Sequence, residues 1–200
     1  MVKLFIVLDG IDGSGKGEVL KRLVDHFSKT LKVVKTEEPT QGIYGKEIRQ
    51  LLKEKDPLNN KDKLLDLYIK DRGQHVNNVI SPFLKNGSGL LLCDRYYYST
   101  IVYQSAQGIL GQEVVIKNSG FPKPHICFIL DLTAEKALDR ITQRNRGLEK
   151  FEKIGFLKRI REGFLRLSNI LNDDNIKIID ASKGKEEVFE AIKKEIEKLI

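Results

Sequence analysis

The chain has 200 residues with 40% hydrophobic and 32% charged composition, which suits one α/β domain over residues 1–200 with a core of its own. No apolar run approaches the ~20 residues of a membrane-spanning helix. Asp9 and Gly10 interrupt the N-terminal apolar stretch before it could form a signal peptide, so a cytoplasmic protein is expected. The net charge of +7 suits polyanionic partners, but its dispersal among many acids is weak evidence for a nucleic-acid surface.

Strand-like and helix-like segments alternate along the chain. Val2–Leu8 is a near-continuous apolar run, the pattern of a central parallel strand. A Gly-rich turn over Gly10–Gly17 follows. Glu18–Thr30 then repeats Val19, Leu20, Leu23, Val24 and Phe27 at helical spacing. Leu31–Thr36 reads as a strand, Glu37–Gln41 as a turn, and Lys46–Lys53 as a helix. Asn60–Lys85 reads as one long helix that Pro82 deprives of a hydrogen bond. Gly89–Cys93 is a third strand ending at Asp94, and Arg95–Ala106 and Gly111–Asn118 follow as helices. Ile126–Leu130 is a fourth strand, and Thr133 is placed to cap a helix over Ala134–Gln143. After the charged stretch Arg144–Lys153 come a helix over Ile154–Leu171, a strand over Ile176–Ile179 and an amphipathic helix over Glu186–Leu199. The alternation predicts a three-layer α/β/α fold with a five-stranded parallel sheet and helices on both faces. Cys93 and Cys127 lie in strand-like runs and read as buried thiols.

Gly10-Ile11-Asp12-Gly13-Ser14-Gly15-Lys16 matches the phosphate-loop pattern G-x-x-x-x-G-K between a strand and a helix. Average residue usage produces such a triplet about 0.07 times by chance in a chain of this length. Glycines let backbone N–H groups curl around a phosphate, the helix N-terminus favours its charge, and Lys16 supplies a cation for a transferring phosphoryl group. Gly17 stands where the pattern has a Ser or Thr that ligates Mg²⁺. Either the ion keeps a water there, or the nucleotide and Asp94 hold it. Asp94, at the end of an apolar strand, occupies the position that reaches Mg²⁺ in phosphate-loop proteins.

The segment Asp94-Arg95-Tyr96-Tyr97-Tyr98-Ser99-Thr100-Ile101-Val102-Tyr103-Gln104 resembles the signature D-R-Y-x-x-S-x-x-[AV]-Y-Q of thymidylate kinases. Leu67–His75 resembles that family's L-F-x-A-x-R-x-Q-x helix, and Ile179-Asp180-Ala181-Ser182 its loop over adenine. The likeness covers essentially the whole chain in the family's order. It implies ATP-dependent phosphorylation of thymidine monophosphate (dTMP) with Mg²⁺, in a homodimer that binds neither nucleic acid nor membrane. Residue by residue it implies that Asp12 faces the acceptor's 3′-hydroxyl and that Arg95 binds its phosphate and bridges toward the donor. Tyr68 stacks on thymine, Arg72 bonds the base edge, Ser99 and Gln104 sit near the pyrimidine, and Tyr103 crowds the sugar 2′ position. Gly10 to Gly17, Arg140, Ala181 and Ser182 serve ATP. The dimer interface is expected from apolar residues around Leu64–Ile80 and Ile101–Ala106.

Two departures from the family pattern are legible. Thr36-Glu37-Glu38-Pro39-Thr40 stands where T-R-E-P-G is common, so Glu37 replaces an arginine near the acceptor phosphate, with Lys35 and Lys46 as nearby cations. The lid, about 144–153, keeps Arg144 and Arg146 as candidate catalytic fingers but has Lys150 for a final arginine. Gly13 resembles the family members that have a Gly in the phosphate loop, which implies catalytic arginines in the lid. The residues leave open two alternatives: a kinase for another nucleoside monophosphate, or a nucleotide-binding protein with weak turnover.

Overall fold

The computed structural model describes residues 2–53, 60–144 and 150–200, without the side chains of 143–153. Five strands form one parallel sheet: β1 (Lys3–Asp9), β2 (Val33–Glu37), β3 (Gly89–Asp94), β4 (Ile126–Asp131) and β5 (Ile176–Asp180), in the order β2-β3-β1-β4-β5. The three inner strands are buried almost without alternation, so both faces of the sheet are covered. Edge strands β2 and β5 are only partly buried and carry the polar residues. Side chains such as Phe5, Leu91 and Phe128 are fully enclosed, each worth about 1.5–3 kcal/mol of transfer free energy.

Helices supply the cover. Helix α1 (Lys16–Phe27) buries Val19, Leu20, Leu23 and Phe27 and packs on α9 (Lys185–Glu197). Helix α5 (Tyr97–Ala106) packs on α6 (Gly111–Asn118) and α8 (Lys150–Ile170), and α7 (Ala134–Arg144) also meets α8. Helix α2 (Ile43–Leu51) rests on α3 (Lys61–His75) through Ile48, Leu51, Leu64 and Leu67.

Two sequence expectations change in detail. The long helix is continuous but not uniform, because α3 passes through a wider π-helical turn over Val76–Ile80 into α4 (Ser81–Asn86). Pro82 lacks an N–H and its ring conflicts with the carbonyl four residues back, and the widened turn lies immediately ahead of it. Helix α5 begins at Tyr97, because Arg95 is left-handed (φ 66°) and Tyr96 is extended. Within the segments expected to supply a dimer interface, Leu64, Leu65, Ile80 and Ile101 are at most 4% exposed, whereas Ile69, Val79 and Ala106 are only partly buried. Cys93 and Cys127 are buried free thiols, as expected.

Candidate active site at the carboxyl ends of the strands

Strand β1 is central and delivers the phosphate loop to the carboxyl edge of the sheet, where open α/β sheets bind ligands. The loop needs its glycines. Gly10 (φ +135°) and Gly13 (φ +81°) are left-handed, and a methyl group there would lie 2.7 Å from the Leu130 carbonyl oxygen and 2.6 Å from that of Ala137. Position 13 therefore has no room for an arginine, which fits a loop whose catalytic cations come from elsewhere. Lys16 Nζ donates to the carbonyls of Gly10 and Ile11, both at 3.0 Å. Burial, and then the positive charge of Arg95, bring its ammonium down to about 8.

Asp94 ends β3 and Arg95 follows it. The left-handed Arg95 backbone costs about 1–2 kcal/mol and turns its side chain back over the loop. Nη2 donates to Asp12 Oδ1 at 2.5 Å, and Nη1 to Ser99 Oγ at 2.7 Å and the Gly10 carbonyl at 3.2 Å. The guanidinium lies 5.5 Å from the centroid of the Tyr103 ring, and Tyr103 Oη reaches Asp12 Oδ2 at 3.5 Å. Asp94 Oδ1 is buried with no hydrogen-bond partner among the described residues. Burial raises its carboxyl pKa against the opposing pull of Lys16 and Arg95.

Two cavities meet along Asp12, Glu38, Pro39, Leu52 and Arg95, which line both, Arg95 being the one cation among the five. One, about 550 Å³, is walled by charge and backbone: Gly13, Gly15, Lys16, Gly17, Arg49 and Asp94. The other, about 570 Å³, is walled by Tyr68, Arg72, Thr100, Tyr103, Gln104 and Phe156. The first can hold a polyphosphate and the second a flat ring. Arg72, 1% exposed, is fixed in the second by Glu38: Nε and Nη2 donate to Glu38 Oε2 at 2.9 and 2.7 Å, Nη2 also to Thr100 Oγ1 at 2.9 Å, and Nη1 to Asn118 Oδ1. Glu38 Oε1 bonds His75 Nδ1 at 2.9 Å, which gives that histidine a structural place.

The remaining expected residues sort as follows. Ser99 lines the larger cavity but turns its hydroxyl to Arg95, and Gln104 Nε2 donates to the Lys61 carbonyl at 3.2 Å. Arg140 lies across the loop, donating to the carbonyls of Gly13 (3.3 Å), Ser14 (3.5 Å) and Ala181 (3.4 Å). Ser182, beside Ala181, is exposed and its N–H donates to Asp180 Oδ1 at 2.9 Å. Ser14 Oγ is buried, without a partner among the described residues, and lines neither cavity. The Arg144 side chain and Arg146 lie outside the described residues.

Sequence reasoning missed Arg49, Glu38 and Thr100. Glu37 is exposed on the wall of the charged cavity, where Gln41 Nε2 holds it at 2.6 Å. The cation beside it is Arg49 from α2, which donates to the carbonyls of Pro39 (3.0 Å) and Thr40 (2.5 Å). Lys35 and Lys46 do not line this cavity. Nothing local marks Arg49, because its position depends on how α2 packs beside the Pro39 turn. Glu38 had one signal in the sequence, as the acid that keeps its place in Thr36-Glu37-Glu38-Pro39-Thr40 beside the T-R-E-P-G pattern.

The sequence pattern of the family described as thymidylate kinase matches residues 8–192. A protein named thymidylate kinase from Thermosipho africanus (strain TCF52B) is 37% identical over 202 aligned positions, covering 98% of each chain. One of the same name from Leptospira borgpetersenii serovar Hardjo-bovis (strain L550) is 36% identical over 190 positions, 94% of this chain and 90% of that one. A third, from Desulfotalea psychrophila (strain LSv54 / DSM 12343), is 38% identical over 165 positions, 82% and 81% of the two chains.

Proposed function

The chain belongs to the thymidylate kinase family, and on that premise we propose that it transfers the γ-phosphoryl group of ATP to dTMP, giving ADP and thymidine diphosphate. The observation that carries this reading is the meeting of a charged cavity and an aromatic one at a single arginine, Arg95. Donor phosphates occupy the first, against the loop N–H groups and Lys16. The acceptor nucleoside occupies the second, with its ring on Tyr68 and its base edge toward Arg72 and Gln104. Asp12 faces the sugar, and Tyr103 leaves no partner for a 2′-hydroxyl. Arg140, Ala181 and Ser182 lie toward the donor base.

In the transfer, an oxygen of the acceptor phosphate attacks the γ-phosphorus and the bond to the β–γ bridging oxygen breaks. The attacking oxygen is already ionised, so no general base is required. Catalysis is positioning plus charge stabilisation: Lys16 and Arg95 face the transferring group, and Arg144 on the lid over 144–153 supplies a further cation. Asp94, whose buried Oδ1 has no partner among the described residues, suits a place facing Mg²⁺. That ion, when bound, neutralises part of the donor's phosphate charge. A homodimer and a cytoplasmic location complete the reading on family resemblance. Among the described residues no helix is long and apolar enough to cross a membrane.

A coupled assay of ADP release across a panel of nucleoside monophosphates tests this. The 2′-deoxy thymine nucleotide should be the best acceptor, with its ribo form slower by about 10- to 100-fold, because an unpaired buried hydroxyl costs ~1–3 kcal/mol. A purine monophosphate as best acceptor overturns the assignment of acceptor while leaving a kinase.

A further inference from the structure

Asp9 is fully buried at the end of β1 and lines neither cavity. Its carboxylate nevertheless gathers donors from both segments that build the site. Oδ1 accepts from the Gly10 N–H at 2.8 Å and the Ser99 hydroxyl at 2.6 Å; Oδ2 accepts from the N–H groups of Ser99 at 3.0 Å and Tyr96 at 3.3 Å. Tyr96 and Ser99 head helix α5, whose own N-cap residue provides no side-chain bond. Asp9 thus caps α5 from another strand, with its negative charge at the favourable end of the helix dipole.

The hydrogen-bond direction at Ser99 is dictated by its partners. A carboxylate only accepts and a guanidinium only donates. The single hydroxyl proton therefore goes to Asp9, and a lone pair receives Arg95 Nη1 at 2.7 Å. Nη1 itself lies 3.5 Å from Asp9 Oδ1. The left-handed Arg95 backbone sits between these anchors, immediately ahead of the capped turn. Neither residue needs to touch a nucleotide to decide where the Arg95 guanidinium points.

We propose that Asp9 and Ser99 form a positioning pair, the buried carboxylate acting through the serine hydroxyl to aim Arg95 at the acceptor phosphate. This rests on the role given to Arg95 above and assigns Ser99 to the arginine instead of the pyrimidine.

The test is Ser99→Ala, which removes the bridge but leaves Asp9 its bonds to the backbone of Gly10, Tyr96 and Ser99. Binding of dTMP is measured by calorimetry in wild type, Ser99→Ala, Arg95→Ala and the double variant, beside kcat and the thermal midpoint. Ser99→Ala is expected to lose acceptor affinity and kcat, together on the order of 10- to 100-fold. ATP affinity and melting should hold, and Ser99→Thr, which keeps the hydroxyl, should recover most of the loss. In the Arg95→Ala background Ser99→Ala should change nothing further. An unchanged Ser99→Ala, or a loss of the same size with and without Arg95, overturns the pair. Arg95→Ala behaving as wild type would instead overturn the role of Arg95 itself. If Ser99→Ala melts below assay temperature, Asp9→Asn in the same cycle carries the test, because its amide presents one acceptor oxygen where the carboxylate had two.

Discussion

Replacing Glu38 with Gln removes one negative charge from a place where Arg72 is 1% and Glu38 6% exposed. Glu38 Oε2 takes two N–H groups of Arg72, and Oε1 faces His75 Nδ1. A glutamine of the same shape offers one accepting oxygen and an NH₂ group that cannot accept, so one of these partners must face a donor. Thr100 and Asn118 still accept from Arg72 but are neutral and leave the guanidinium without a counter-charge. Breaking a buried pair in this way costs about 3–5 kcal/mol. At about 2–4 °C per kcal/mol for a chain of this size, the thermal midpoint should drop by about 6–20 °C. Affinity for dTMP should fall with it, because Arg72 lines the aromatic cavity. Thermal unfolding by circular dichroism on Glu38→Gln, Arg72→Met and the double variant measures both arms. Removing both charges together is often close to neutral for stability, so the double variant should melt above Glu38→Gln alone yet bind the acceptor poorly. A Glu38→Gln midpoint within about 2 °C of wild type, or a double variant less stable than both singles, would refute the buried-pair account.

Lys16→Ala should lower ADP production by about 100-fold or more, a barrier change of ~3 kcal/mol for loss of one transition-state charge partner, in a protein whose circular dichroism is unchanged. With the Lys16 ammonium brought down to about 8, kcat/KM for ATP, which reports the free enzyme, should hold below that pH. It should decline with a one-proton slope above it as the cation is lost; a level profile through this range would remove Lys16 as the titrating group. Gly17 lies in α1 with open space where a Cβ would project. Gly17→Thr should therefore fold as well as wild type and reach half-maximal activity at a lower Mg²⁺ concentration, and a magnesium titration that does not move would count against any metal contact at that position.

Much of this protein was legible along the chain. Unbroken apolar runs such as Leu4–Leu8 and Leu90–Cys93 mark strands enclosed on both faces, and the glycines of 10–15 mark a loop whose backbone conformation few other residues tolerate. These features are local: the residues that carry the signal are also the ones that adopt the structure. The same holds for Tyr68 and Arg72, which one helical turn puts on the wall of one cavity. Tertiary packing decided the rest. Glu38 meets Arg72 across 34 positions, Arg72 meets Asn118 across 46, and Asp9 meets Ser99 across 90. Such partnerships follow from strand order and helix packing, which leave no periodic trace in the sequence. The helix expected from Arg95 starts two residues later because Asp9, on a neighbouring strand, binds the N–H groups that head it. Arg49 enters the phosphate cavity because α2 packs against the turn at Pro39, and Leu64 and Ile101 are buried against partners from other elements of the chain. Composition and periodicity state which residues must be buried or must turn; only the assembled sheet and its helices determine what each one is buried against.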